Sequence, residues 1–140
     1  MGTNIDGVKY FEQDIQLMGD LGLDGIFKNR IMTFGAAEKD ITSSDYKLVY
    51  PILFPGTNTM IPTTIKLLAN NSKTSPYSIK IFDSTNRNDI AEVTGLTNDA
   101  LAIIDLGAIS NLSTDEAIWE LQAKIDTNGS RIFIAGLSIY

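Results

Sequence analysis

Hydrophobic residues from position 46 onward fall in short runs that alternate with clusters of turn-forming residues. Such runs, bounded by Gly, Pro, Asn and Asp, are typical of the strands of a sandwich or barrel. The pattern predicts seven strands, at residues 46–54, 63–69, 77–82, 89–94, 101–106 with an optional extension to Ile109, 118–125 and 131–140. A further strand within residues 26–34 brings the total to about eight, the number that a jelly roll needs.

The strand at 118–125 alternates apolar and polar residues, which predicts one buried face and one wet face. Its apolar residues are Trp119, Leu121, Ala123 and Ile125. We therefore expect these four side chains to share the interior, with Trp119 as an anchor of the core.

The last strand carries apolar residues on both faces. One face holds Phe133, Ala135, Leu137 and Ile139, and the other holds Ile132 and Ile134. Because both faces are apolar, we expect the strand to be covered on both sides, with Ile132 and Ile134 on its outer face. A subunit contact or the N-terminal region would then cover them.

Two connections are predicted from their turn chemistry. Asn128-Gly129 separates two apolar strands, and both residues tolerate a positive φ, so the last two strands are expected to form an antiparallel hairpin. Residues 35–44 are expected to be a loop.

The N-terminal region differs from the rest. Val8, Phe11, Ile15 and Met18 have helical spacing, but the glycines that follow at 19, 22 and 25 interrupt it. We predict an N-terminal arm or short helix at residues 1–28. Residues 29–140 would then form one all-β domain, a two-sheet antiparallel β-sandwich of the jelly-roll type.

Composition narrows the possible functions. The chain has 140 residues with a net charge of -6, so a phosphate backbone or an anionic membrane would be repelled, and neither is an expected partner. It contains no cysteine and no histidine, which excludes thiolate chemistry, zinc-thiolate sites and Ser-His-acid catalysis. The start of the chain lacks signal-peptide features, so a soluble protein made in a cytoplasm is expected.

The remaining candidate chemistry is weak. Asp115 with Glu116, or Asp83 with Glu120, could be a glycosidase pair, but nothing in the sequence positions them. The loop at 83–89 concentrates oxygen atoms that calcium could bind, yet its Asp and Asn residues are also those that turns prefer. We expect no enzymatic activity, no cofactor and no metal.

Residues 77–86, 117–125 and 132–139 read as paired strands. These three segments resemble the small jelly-roll domains of tailed-bacteriophage virion proteins, such as capsid decoration, head-fibre and tail-fibre subunits. The resemblance implies a structural protein that assembles on a capsid or fibre, as a homo-oligomer in which a trimer is favoured, and that is found in the virion. A major capsid protein or another virion protein would be its partner.

The candidate assembly contacts are Val8, Phe11, Ile15, Ile132 and Ile134. The alternative function is a carbohydrate-binding or receptor-binding β-sandwich, because aromatic residues and Asn, Asp and Thr in loops can hold a sugar. Both functions need the same fold.

Overall fold

The computed structural model describes residues 32–34, 37–41, 43–73, 76–126 and 130–140. Within these residues the chain forms nine strands, all paired antiparallel in two sheets. The strands are β1 (Met32–Phe34), β2 (Ala37–Ile41), β3 (Lys47–Phe54), β4 (Ile65–Asn71), β5 (Tyr77–Asp83), β6 (Asn88–Leu96), β7 (Ala102–Asp105), β8 (Ala117–Ile125) and β9 (Ser130–Ile139). The described part of the chain contains no helix long and apolar enough to cross a bilayer.

The two sheets are wound as a jelly roll. Sheet I has β1 and β2 on one edge, followed by β9, β4 and β7, and sheet II has the order β3, β8, β5, β6. Strands β1 and β2 lie end to end along β9, so each sheet is four strands wide. After β2 the chain changes sheet at every connection except the one between β5 and β6. The predicted all-β jelly roll with about eight strand positions is confirmed.

The core lies between the sheets and follows the alternation of each strand. Trp119, Leu121, Ala123 and Ile125 of β8 are each exposed by 1% or less, which confirms the predicted inward face. Trp119 stacks on Phe54 of β3, with the ring centroids 4.2 Å apart and the planes 12° from parallel. Such a pair adds about 1 kcal/mol to the effect of burial alone.

The predicted outer positions of Ile132 and Ile134 are wrong. Both side chains lie in the core, 1% and 2% exposed, so they leave no surface for a subunit contact. The reason is a β-bulge in β9, where the register to β4 shifts between Ile134 and Gly136. An extra residue reverses the alternation of a strand, so the inward positions change from even to odd numbers beyond the bulge.

The predicted hairpin between the last two strands is also wrong. Residues 127–129 lie outside the described part, but β8 belongs to sheet II and β9 to sheet I. Strand β8 already pairs with β3 and β5, while β9 pairs with β4 on one side and with β1 and β2 on the other. Because both strands have partners on each side, the connection crosses between the sheets.

The expected loop at 35–44 contains a strand instead. Residues 37–41 form β2, which pairs with residues 130–134 of β9. The segment Glu38-Lys39-Asp40 lacks apolar alternation, but charged residues are common in edge strands, where they discourage pairing with other chains. The other predicted strands from residue 46 onward are confirmed within two residues at each end, except that β7 ends at Asp105 and does not extend to Ile109. The predicted arm at 1–28, with Val8, Phe11 and Ile15, lies outside the described residues.

Candidate functional site

The carboxylates nominated as catalytic pairs do not converge. Asp83 is fully buried at the end of β5, opposite Trp119, whereas Glu120 lies opposite Phe82 on the outer face of sheet II. Asp115 and Glu116 are exposed in the segment before β8. Neither pair therefore has the arrangement of a glycosidase, in which two carboxyl groups flank the bond that is cleaved.

The oxygen-rich loop after β5 serves the protein backbone. Asp83 accepts hydrogen bonds from the main-chain N–H of Asn86 (2.9 Å) and from its side-chain amide (2.8 Å). Thr85 accepts one from the N–H of Ile118, and Ser84 donates one to the Ile118 carbonyl oxygen. These side chains fasten the turn to β8. No cluster of three or more carboxylates occurs in the described ranges.

Tyr46 lies over the outer face of sheet II between two lysines. The Nζ atoms of Lys80 and Lys124 are 4.5 Å and 5.0 Å from the centre of its ring, and its hydroxyl donates to Glu92. Lys80 also forms an ion pair with Asp89 at 3.0 Å. Burial, with the hydrogen bond to Glu92, raises the pKa of Tyr46 above its usual value. The ring is already in contact with cations, so this cluster stabilises the sheet rather than offering an open platform.

The other end of the same face is apolar. Leu53 of β3 and Ile118 of β8 are direct cross-strand neighbours, and their side chains are both more than half exposed. Exposed pairs of this size are common on monomers, and this pair lies outside the cavity described next.

A groove with a volume of about 320 Å³ crosses the outer face of sheet I. Its lining comes from three neighbouring strands and the residue after β9: Lys66, Leu67, Leu68, Ile103, Gly136, Leu137, Ser138 and Tyr140. The lining is mainly apolar with a few polar groups, as in most small-molecule sites, and its volume is at the small end of their range.

The strand register explains how the groove forms. Leu68 lies opposite Ile103 on one side and Gly136 on the other, so two exposed aliphatic side chains stand beside a position with no side chain. The bulge in β9 brings Gly136 into this row. A glycine within a strand often marks such a bulge or a close approach of a ligand.

Polar groups occupy the neighbouring row. Ser138 and Lys66 are direct cross-strand partners, and Lys66 is the charged side chain among the described residues of the lining. Tyr140 borders the groove with 37% of its surface exposed. Two main-chain hydrogen bonds hold Tyr140 beside Thr64. The Tyr140 N–H donates to the Thr64 carbonyl oxygen at 3.0 Å, and the Thr64 N–H donates to the Tyr140 carbonyl oxygen at 2.8 Å. The groove therefore combines an aromatic ring, aliphatic walls and hydrogen-bond donors.

Sequence reasoning did not find this groove. The predicted contacts Ile132 and Ile134 lie in the core and do not line the groove, and Val8, Phe11 and Ile15 lie outside the described residues. The available signal was Gly136, because a glycine inside an apolar strand indicates a bulge and hence a change of face.

Comparison with solved structures gives the same architecture. The carbohydrate-binding module CBM36 in complex with calcium and xylotriose is similar at 11% sequence identity and a TM-score of 0.54, covering 81% of this chain and 96% of that one. The CBM36-1 domain of a multidomain xylanase from the hindgut metagenome of Trinervitermes trinervoides has 12% identity and a TM-score of 0.52, covering 84% and 91%.

A third similar structure is a much longer enzyme. It is a glycoside hydrolase family 43 arabinoxylan arabinofuranohydrolase from Bacillus subtilis in complex with cellotetraose, with 13% identity and a TM-score of 0.53. The match covers 79% of this chain but 24% of the enzyme. No family model and no curated protein matches this chain. At these identities the similarity shows a common β-sandwich fold.

Proposed function

We propose that the protein is a carbohydrate-binding module that holds a saccharide in the groove on the outer face of sheet I. The observation that carries the proposal is the groove itself, in which an exposed tyrosine and aliphatic side chains stand beside a lysine and a serine. A pyranose ring has an apolar C–H face and a rim of hydroxyl groups. It needs both kinds of surface in one small concave site.

Each part of the groove has a role in the proposal. The ring of Tyr140 and the side chains of Leu68 and Ile103 pack against the C–H faces of the sugar. Ser138 and Lys66 donate hydrogen bonds to its oxygen atoms. The fold shared with carbohydrate-binding modules supports the proposal, although the fold alone would also suit other ligands.

Binding without catalysis is part of the same proposal. The nominated carboxylates lie apart from the groove, and the described residues of its lining include no Asp or Glu that could act as an acid, base or nucleophile. Virion assembly and a trimeric state, which the sequence resemblance predicts, stay predictions. Two of their five candidate contacts are in the core and the other three lie outside the described residues.

A glycan array followed by isothermal titration calorimetry tests the proposal. We expect saturable binding to at least one class of oligosaccharide, and Tyr140→Ala should weaken it about fivefold, the equivalent of about 1 kcal/mol of ring stacking.

Tyr50→Ala is the matched control, because Tyr50 is a tyrosine of nearly equal exposure (38%) on β3 of sheet II. It should leave the affinity unchanged. No saturable signal for any glycan would refute carbohydrate binding, and equal losses in the two variants would refute the location of the site.

A further inference from the structure

Lys66 is a partly buried lysine. It lies near the start of β4, one of the two inner strands of sheet I, and its side chain is half-buried among the residues of the groove. Partial removal from water weakens the hydration of an ammonium group, so such a group gains more from an anionic partner than a fully exposed lysine does.

The protein supplies no such partner in the residues that the structure describes. Among the described residues, Lys80 forms an ion pair with Asp89, whereas Lys66 has no Asp or Glu carboxylate within 4.0 Å. The nearest candidate by register is Asp105, directly opposite Lys66 on β7. Asp105 instead accepts a hydrogen bond of 2.8 Å from the main-chain N–H of Gly107, which holds its carboxylate at the turn after the strand.

The other neighbour of Lys66 is a donor as well. Ser138 lies directly opposite on β9, and paired residues on one face of a sheet have Cβ atoms about 5 Å apart. The Lys66 ammonium and the Ser138 hydroxyl can therefore reach the same small anionic group. The apolar row of Leu68, Ile103 and Gly136 runs beside them.

We infer that the groove selects an acidic saccharide, whose carboxylate is bound by Lys66 and Ser138 while its ring packs on Leu68, Ile103 and Tyr140. This inference rests on the proposed function and names the substrate class of the same site. The net charge of -6 opposes an anionic ligand at long range, but salt at physiological strength screens that repulsion beyond about 8 Å. Contact with Lys66 is shorter than this distance.

The sharpest test compares one ligand with and without its charge. An oligogalacturonide and its methyl ester have the same sugar rings, and only the former carries carboxylates. Calorimetry with the full chain should show about tenfold tighter binding of the acid, as expected for a charge-assisted hydrogen bond in a half-buried site. Because this comparison uses the unmodified protein, it does not depend on the folding of a variant.

Three variants then locate the effect. Lys66→Gln should remove the preference for the acid, whereas Lys47→Gln, which removes the same charge from the exposed edge strand of sheet II, should retain it. Asp105→Asn keeps the oxygen that accepts from Gly107 but removes a negative charge beside the ligand, so it should tighten binding of the acid about twofold.

The outcomes separate the two proposals. Saturable binding of neutral oligosaccharides with no preference for the acid would overturn this inference and leave carbohydrate binding intact. An acid preference that survives in Lys66→Gln would also overturn it, because the charge would then be bound elsewhere. Absence of binding to either form, together with an empty glycan array, would refute the proposed function itself.

Discussion

Replacing Gly56 by alanine tests how closely two loops of the sandwich approach each other. Gly56 has a φ of +94° and follows β3, in the connection that crosses to sheet I. Its carbonyl oxygen accepts hydrogen bonds from the N–H groups of Thr59 and Met60. A methyl group added here would overlap the carbonyl oxygen of Thr114 and come within 3.0 Å of two main-chain carbon atoms.

Two costs add at this position. The left-handed conformation disfavours any residue with a Cβ by about 1–2 kcal/mol. The added methyl group would overlap the main chain of Thr114. That main chain is held close to Gly56 because the Thr57 N–H donates to the Ser113 carbonyl oxygen at 3.0 Å. Separating the loops would break that hydrogen bond at a cost of about 1 kcal/mol. After the smaller entropy of the unfolded alanine chain is subtracted, we expect Gly56→Ala to reduce the free energy of unfolding by about 2 kcal/mol.

Gly95→Ala is the matched control. Gly95 in β6 also has a positive φ, +71°, but a methyl group there would meet nothing within 4 Å. Only the conformational cost applies, and the smaller entropy of the unfolded alanine chain offsets part of it. The control should therefore lose about 1 kcal/mol.

Urea denaturation followed by tryptophan fluorescence measures both variants. Trp119 is the single tryptophan of the chain and is fully buried, so its emission should report unfolding directly. A difference of about 1 kcal/mol between the variants is expected, the cost of separating the two loops. Equal destabilisation would refute the close approach of the two loops.

Three further outcomes are expected from the described contacts. Trp119→Ala should cost about 3–5 kcal/mol of stability, measured by far-UV circular dichroism in urea, because it empties a large buried site. Asp83→Ala should cost about 1–3 kcal/mol in the same assay by leaving the Asn86 donors without their acceptor, whereas Asp83→Asn should cost less. The pKa of Tyr46 is higher in the folded protein than in the unfolded chain. The contribution of Tyr46 to the free energy of unfolding is therefore fully present below about pH 10 and declines above it. Tyr46→Phe should therefore make the loss of unfolding free energy between pH 9 and 11.5 less steep. An unchanged slope would contradict the assigned environment of Tyr46.

The sequence predicted the strands well because period-two alternation reports burial directly. From Trp119 to Ile125 in β8 each apolar residue alternates with a polar one, and the structure places Trp119 and its three apolar companions in the core. The signal fails where alternation is absent. The charged segment of β2 has no apolar face, and its pairing with β9 depends on main-chain hydrogen bonds that residue types do not specify.

The errors in β9 have one physical origin. Apolar residues on both faces of a strand fit two registers, and a bulge lets one strand use each register in turn. Ile132 and Ile134 face inward before the bulge, and Leu137 and Ile139 face inward after it. The groove depends on the same bulge and on side chains from β4 and β7, which are distant in sequence. Its composition could not be obtained from local patterns alone.

Sugar binding on the outer face of sheet I is tested most directly by mapping main-chain amide shifts in two-dimensional NMR spectra while an oligosaccharide is titrated. Shifts concentrated at Lys66, Leu68, Ile103, Gly136 and Ser138 are the expected result. Shifts centred instead on Leu53 and Ile118 of sheet II, or on the loop after β5, would contradict the assignment of the groove.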